Sequence, residues 1–174
     1  MTDHQPAALD DETIALAGRI FQLARGGDAD VLRQLLEQGL PPNMCNDKGD
    51  TLLMLAAYNQ NAAAVRVLLD HGANPDKTND KGQTPLAGVA FKGDLAIARM
   101  LVEHGAAVEG PADGGRGALT VAAMFDRVEI VELLLEHGTD PDARDGAGVT
   151  ALDAAKTMGA TKTPDVIAAW KARP

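Results

Sequence analysis

The residues of this chain best suited to chemistry recur in phase. His71, His104 and His137 each precede a glycine and stand 33 residues apart, so metal ligation is the first chemistry to weigh. A zinc–nitrogen bond is only ~2 Å long, whereas packed helices lie ~8–10 Å apart. Histidines on successive copies of one unit therefore cannot share an ion without long, convergent side chains. The spacing suits instead a donor and potential cation at the C-terminal end of a helix. Asp76, Asn79 and Asp80 bring oxygens together, but no loop of alternating oxygens closed by a glutamate follows, which leaves a solvated turn in place of a calcium site. The glycines between Gly110 and Gly117 are not followed by Lys-Ser/Thr and read as a loop rather than a phosphate cradle. The chain contains no serine and one cysteine, Cys45. A serine nucleophile is thus excluded, a thiol cluster cannot form, and the expectation is a protein without enzymatic activity, metal or cofactor.

The elements that position these residues follow from the same period. His71-Gly72, His104-Gly105 and His137-Gly138 keep a step of 33, preceded in phase by Gln38-Gly39, and Gly49, Gly82, Gly115 and Gly148 repeat with it. Self-similarity at this length means stacked supersecondary units, each burying its apolar faces against its neighbours. The 174 residues are 45% hydrophobic but only 3% aromatic. Ala, Leu and Val must therefore pack one compact domain of close helices. Sixteen basic against 25 acidic residues give a net charge of −9, which opposes binding to nucleic acid or to an anionic membrane. No apolar run of ~18 residues could span a bilayer. The start carries no basic and apolar leader, and the lone thiol fits a reducing compartment, so a cytoplasmic monomer is expected.

In chain order, residues 1–9 lack periodicity and are expected to be a flexible tail. The repeat domain covers 10–174 in units of about 11–45, 46–78, 79–111, 112–144 and 145–174, the first and last serving as caps. Asp11 is expected to cap a first helix that Gly26-Gly27 ends, and Asp28 to cap a second. The second unit turns at Asp47-Lys48-Gly49, is capped by Thr51, and carries helices at 52–59 and 62–69. The third turns at Asp80-Lys81-Gly82, with Thr84 as cap and Pro85 at the first helical position. Its helices are expected at 85–92 and 95–102. The fourth departs from the pattern: Gly110 to Gly117 holds four glycines and Gly117 replaces the capping threonine. Helices are expected at 118–125 and 128–135. In the fifth unit the second helix is delayed to Thr163-Pro164-Asp165, and Val166, Ile167 and Trp170 form a short closing face.

Thr84-Pro85-Leu86, Val89-Ala90 and the closing Leu101-Val102-Glu103-His104-Gly105-Ala106 resemble the ankyrin repeat, and the likeness extends over roughly 11–173 in five units. It implies an all-α solenoid of stacked helix-turn-helix repeats with short β-hairpin or turn fingers at about a right angle. Such scaffolds are generally recognition modules that bind in the groove of fingers and first helices. Two departures stand out. The residue that usually hydrogen-bonds the capping threonine is Met54, Ala87, Thr120 or Asp153 and never histidine. Gly88 stands where Leu55 and Val121 are large, at ~1 kcal/mol of helix propensity.

One column rises above the scaffold pattern. The residue after the paired small residues of each first helix is Arg25, Tyr58, Phe91 and Met124, with Phe125 adjacent. Of the five aromatic residues, Tyr58, Phe91 and Phe125 lie on or beside this line, while Phe21 and Trp170 belong to the caps. By the geometry the resemblance implies, the column faces the groove, and grouped exposed aromatics are favoured anchors. Packing of these side chains against the next repeat is the competing explanation. Lys48, Lys81, Lys92 and Arg116 fall on fingers or the groove side, diluted by Asp47, Asp50, Asp80 and Asp113. Glu103, Glu129, Glu132 and Glu136 fall on the second helices. The expected function is a protein-interaction module holding a partner segment on Tyr58, Phe91, Met124 and Phe125, rimmed by the four basic residues. A small-ligand or oxidative-stress accessory role beside an enzyme such as a catalase is the alternative that the resemblance leaves open.

Overall fold

The computed structural model describes residues 11–26, 28–110 and 115–173. The expected tail and the junction residues Asp10, Gly27, Pro111, Ala112, Asp113 and Gly114 lie outside them. Ten helices are present among the described residues: α1 Asp11–Gly26, α2 Ala29–Glu37, α3 Leu52–Tyr58, α4 Ala62–Asp70, α5 Pro85–Lys92, α6 Leu95–Glu103, α7 Ala118–Met124, α8 Val128–Glu136, α9 Ala151–Met158 and α10 Thr163–Lys171. The odd-numbered helices stack side by side in one layer, the even-numbered helices in a second, and each pair packs on itself across the layers.

Helix starts follow from side-chain oxygens. Thr51 accepts from the Met54 amide at 3.0 Å and Thr84 from the Ala87 amide at 3.2 Å, satisfying donors that a helix start leaves orphaned. At Thr150 the pairing is reciprocal: the Asp153 amide donates to Thr150 Oγ1 and that hydroxyl donates to the Asp153 carboxylate at 2.8 Å. Asp153 thereby takes up the partner role that Met54 and Ala87 leave vacant. Asp28, Asn61 and Asp94 cap the second helices in the same way. Asp11 is not a cap, contrary to expectation; it is the first helical residue of α1, where its charge meets the positive end of the helix dipole. Gly26 likewise falls inside α1 as its last residue.

The core is one continuous apolar cluster running through every repeat. Leu32, Leu68, Leu101 and Leu134 are fully buried, and so are Ala56, Ala90 and Ala123. Each alanine lets neighbouring first helices approach closely, the role for which a chain poor in aromatics is suited. The fingers are turns, with isolated bridges at Cys45–Thr51 and Arg144–Thr150. In three of them an Asx side chain folds the turn: Asn46 Oδ1 accepts from the Lys48 and Asp50 amides at 2.9 Å, Asn79 from those of Lys81 and Gln83 at 3.0 Å, and Asp145 from those of Ala147 and Val149. Gly49, at φ +74, lets the second finger lie on the third, because a Cβ there would sit 2.7 Å from Asp80 Oδ1. Repeats are also stapled side chain to backbone: Asn43 accepts from the Asn74 amide, Asp76 from Ala107 and Glu109 from Asp140.

Candidate functional site

Tyr58 is the last residue of α3, Phe91 the penultimate residue of α5 and Phe125 the residue that closes α7. The Tyr58 and Phe91 rings are parallel within 1° with centroids 6.2 Å apart, and Phe125 meets Phe91 edge-on at 4.7 Å and 87°. Three consecutive repeats thus contribute one rung each to an aromatic ladder. Its members remain open to solvent, Tyr58 by 43% and Phe91 by 38%, with Phe125 half-buried. The rings both pack between repeats and stay exposed, so inter-repeat packing and availability are not alternatives here.

Gly88 lies beneath the first rung. A Cβ at Gly88 would lie at an ordinary contact distance, 3.6 Å from Tyr58 Cδ2, so the tyrosine ring lies over α5 at this residue. Lys92 Nζ rests 4.5 Å from the Tyr58 ring centroid, within range of a cation–π attraction. The third rung passes from Met124, which has the 33-residue register, to Phe125. The helix ends at Met124, and Phe125 at φ −106° leaves the helical track, which swings its ring onto Phe91. Met124 is half-buried beside it.

The four expected basic residues do not gather at the ladder. Lys92 alone touches it. Lys48 and Lys81 are exposed on finger tips, separated from the rings by the length of a first helix, ~10 Å for seven residues at 1.5 Å each. Arg116 reaches the fifth finger, with Nε 3.6 Å from the Asp145 carboxylate. The amide of Val149, first, and that of Ala147, with the Arg116 charge, hold Asp145 below the usual carboxylate range, although burial opposes them.

Two residues after Phe125 complete the surroundings of the ladder, and sequence reasoning missed both. Arg127 Nε and Nη2 donate to the Phe91 carbonyl at 3.3 and 3.2 Å, and its side chain lies against Gly93, whose φ of +86 and bare Cα make room for it. Asp126, at φ +55, turns its carboxylate toward the start of α10. It accepts from the amides of Thr161, Lys162 and Thr163 at 2.8, 2.9 and 3.0 Å and from both threonine hydroxyls. These amides, Thr163 foremost, hold the Asp126 carboxyl far below its usual range.

The phased histidines sit in helix caps. His71, His104 and His137 place Nδ1 2.7, 2.8 and 2.7 Å from the carbonyls of Val67, Met100 and Leu133, four residues back. Each ring thus addresses a helix-terminal carbonyl. Among the described residues no group of His, Cys, Asp and Glu is placed to hold a metal ion, and no helix is long and apolar enough to cross a membrane.

Stacked helix pairs with turn fingers and an inter-repeat ladder define a helical repeat solenoid. The family described as ankyrin repeats (3 copies) matches residues 20–112 and 71–145, and the chain belongs to that family. A Pseudomonas aeruginosa protein whose name places it among ankyrin repeat proteins is 53% identical over 62 residues. The matched stretch is 36% of this chain and 36% of that relative's length.

Proposed function

We propose that the protein is a non-enzymatic, cytoplasmic interaction module that holds an apolar segment of another protein across the ends of its first helices. The observation that carries this reading is the ladder of Tyr58, Phe91 and Phe125, three rings from three repeats in mutual contact and open to solvent. Grouped exposed aromatics are costly to leave in water and favoured as binding anchors. Because the rings already brace one another, little side-chain freedom remains to be lost on binding. Met124 extends the apolar strip, and Lys92 offers a cation at its edge for a carboxylate or carbonyl of the partner. Lys48, Lys81 and Arg116 on the fingers serve longer partners that lie along the first helices.

The test is affinity capture from the native cell with wild type and a Tyr58→Ala/Phe91→Ala double variant side by side. Loss of the captured protein from the double variant, with helicity and melting cooperativity retained, is the expected result. Equal capture by both overturns the reading.

A further inference from the structure

The N-terminal end of the stack carries a second apolar surface, independent of the ladder. In each later repeat the face turned toward the preceding repeat is sealed: Ala64, Ile97 and Ile130 are buried, as are Leu68, Leu101 and Leu134, and Ala56, Val89 and Ala122. One period earlier, the same positions hold Val31, Leu35 and Leu23. Val31 is 37% exposed, and Leu35 and Leu23 are half-exposed. The first repeat has thus kept the apolar register of an internal repeat on a face against which no described repeat is stacked. Leu16, 48% exposed, continues this face, and Leu16, Arg19, Leu23, Asp28 and Leu35 line a shallow hollow upon it.

The helix that borders the hollow is unlike its counterparts. Helix α1 has 16 residues where α3, α5, α7 and α9 have seven or eight, so its first two turns project past the stack. Along it, Glu12, Leu16, Arg19 and Leu23 follow at steps of four, three and four, the spacing of one continuous contact stripe. The order of charges on the stripe decides what can cover it. An antiparallel copy of the same helix, related by a two-fold axis passing beside Leu16, brings Glu12 of each chain within a turn of Arg19 of the other. A parallel copy sets like charges together. The stripe's own two charges cancel, and Asp28 at the edge of the hollow leaves the face with about one negative charge out of the chain's net −9.

We propose that this face is a two-fold, isologous interface between two copies of the chain, with α1 packed antiparallel on α1 about Leu16. The arrangement leaves both ladders free at the sides of the stacks and joins two recognition modules end to end, which gives a partner carrying two cognate segments the benefit of avidity. The dimer is proposed in place of the expected monomer because Leu16, Leu23, Val31 and Leu35 stand exposed or half-exposed on the outer face of the first repeat.

Sedimentation equilibrium of the full chain from micromolar to near-millimolar concentration tests the proposal, with α1 variants monitored by circular dichroism for unchanged melting. Wild type is expected to reach twice the chain mass. Leu16→Asp, Glu12→Arg and Arg19→Glu are each expected to weaken association at least tenfold. Mixing the Glu12→Arg and Arg19→Glu variants is expected to restore a dimer, because the two substitutions complement each other only in the antiparallel pairing. A wild type that stays at the single-chain mass throughout overturns the proposal, and nuclear Overhauser contacts from Leu16 and Leu23 to residues 1–10 would then assign the face to the chain's own N-terminal segment. Dimerisation that survives Leu16→Asp, or a mixture that fails to reassociate, overturns it equally.

Discussion

Replacing Gly117 by serine and, separately, by alanine isolates a single missing hydrogen bond in the fourth repeat. Gly117 holds φ −68° and ψ 162° at the start of α7 with no side-chain cap, whereas Thr51, Thr84 and Thr150 hold nearly the same backbone angles and each cap a helix. A serine is therefore conformationally at home. Either substitution brings a Cβ to 3.2 Å from Gly110 Cα and 3.4 Å from the Glu109 carbonyl, so the neighbouring backbone must yield by a few tenths of an ångström. Either also narrows the unfolded ensemble to a similar degree. These two effects cancel in the comparison of serine with alanine. What remains is the hydroxyl, in reach of the Thr120 amide as Thr51 is of Met54, at ~1 kcal/mol. For a chain of this size that is about 2–4 °C in midpoint. Thermal melts of the two variants should place the serine variant about 2–4 °C above the alanine one. Coincident melts for serine and alanine would refute the reasoning, showing that the Thr120 amide does not gain a partner at this start.

Four further outcomes follow from the same geometry. Gly88→Ala should raise stability by ~1 kcal/mol in thermal or denaturant melts, since its Cβ meets Tyr58 at an ordinary 3.6 Å, whereas Gly93→Ala should lower it, because φ is +86 there and a Cβ would lie 2.9 Å from Arg127 Cδ. Asp126, Asp145 and Asp153 all titrate below the ordinary 3.8 in the folded chain, so their stabilisation is present above that value and is lost as pH falls below it. Acid titration followed by Trp170 fluorescence should show the fifth repeat loosening first, and Asp126→Asn should weaken that repeat at neutral pH and blunt its acid response. A strong chelator should leave the melting curve unchanged, since the three histidines face carbonyls, while His104→Ala should cost ~1 kcal/mol for the lost cap hydrogen bond. Phe91→Ala removes both ring contacts at once, ~1–3 kcal/mol of stability on pair terms of about 0.5–1.5 each. It should weaken capture of a groove partner at least fivefold, with Glu132→Ala on the opposite layer having little effect.

The architecture was legible because each repeat is announced by residues with a local mechanical role. Thr51, Thr84 and Thr150 fix helix starts through their own hydroxyls, and Pro85 marks the first helical position, so the helices were placed within about a residue of where they lie. Tyr58 and Phe91 were legible as a column because both stand at the helical end of the same period. Phe125 was legible as the aromatic neighbour of Met124 and was counted among the anchors, but that its ring meets Phe91 edge-on depends on the backbone at the end of α7, which has no sequence signature. The staples from Asn43, Asp76 and Glu109 were not legible either: the acceptors do recur at one period, but their types differ and their partners are backbone amides, which have no sequence signature. Asp76 illustrates the cost, since its carboxylate drew attention as a cation ligand when its oxygen is engaged by Ala107. The turns were placed at Asp47-Lys48-Gly49 and Asp80-Lys81-Gly82, where Gly49 and Gly82 do hold positive φ, but the side chains that fold them, Asn46 and Asn79 one residue earlier, were not named in that role.

Asp126 shows why periodicity conceals some of the most consequential residues. Its position is occupied by Gln60 and Gly93 in the two preceding repeats, and all three residues hold positive φ. The backbone repeats while the chemistry does not. At this one copy, three consecutive residues point to three different places: Phe125 to the Phe91 ring, Asp126 to the amides opening α10, and Arg127 to the Phe91 carbonyl. The loop is therefore clamped to the third repeat on one side and to the fifth on the other, both times through hydrogen bonds. The backbone that carries Phe125 is thus tied on both sides by its two next residues. The ladder's third rung is consequently held in place through polar contacts at the closing end of the stack. In a chain with only five aromatic residues, three of them are thereby held against one another at the surface, two exposed and one half-buried.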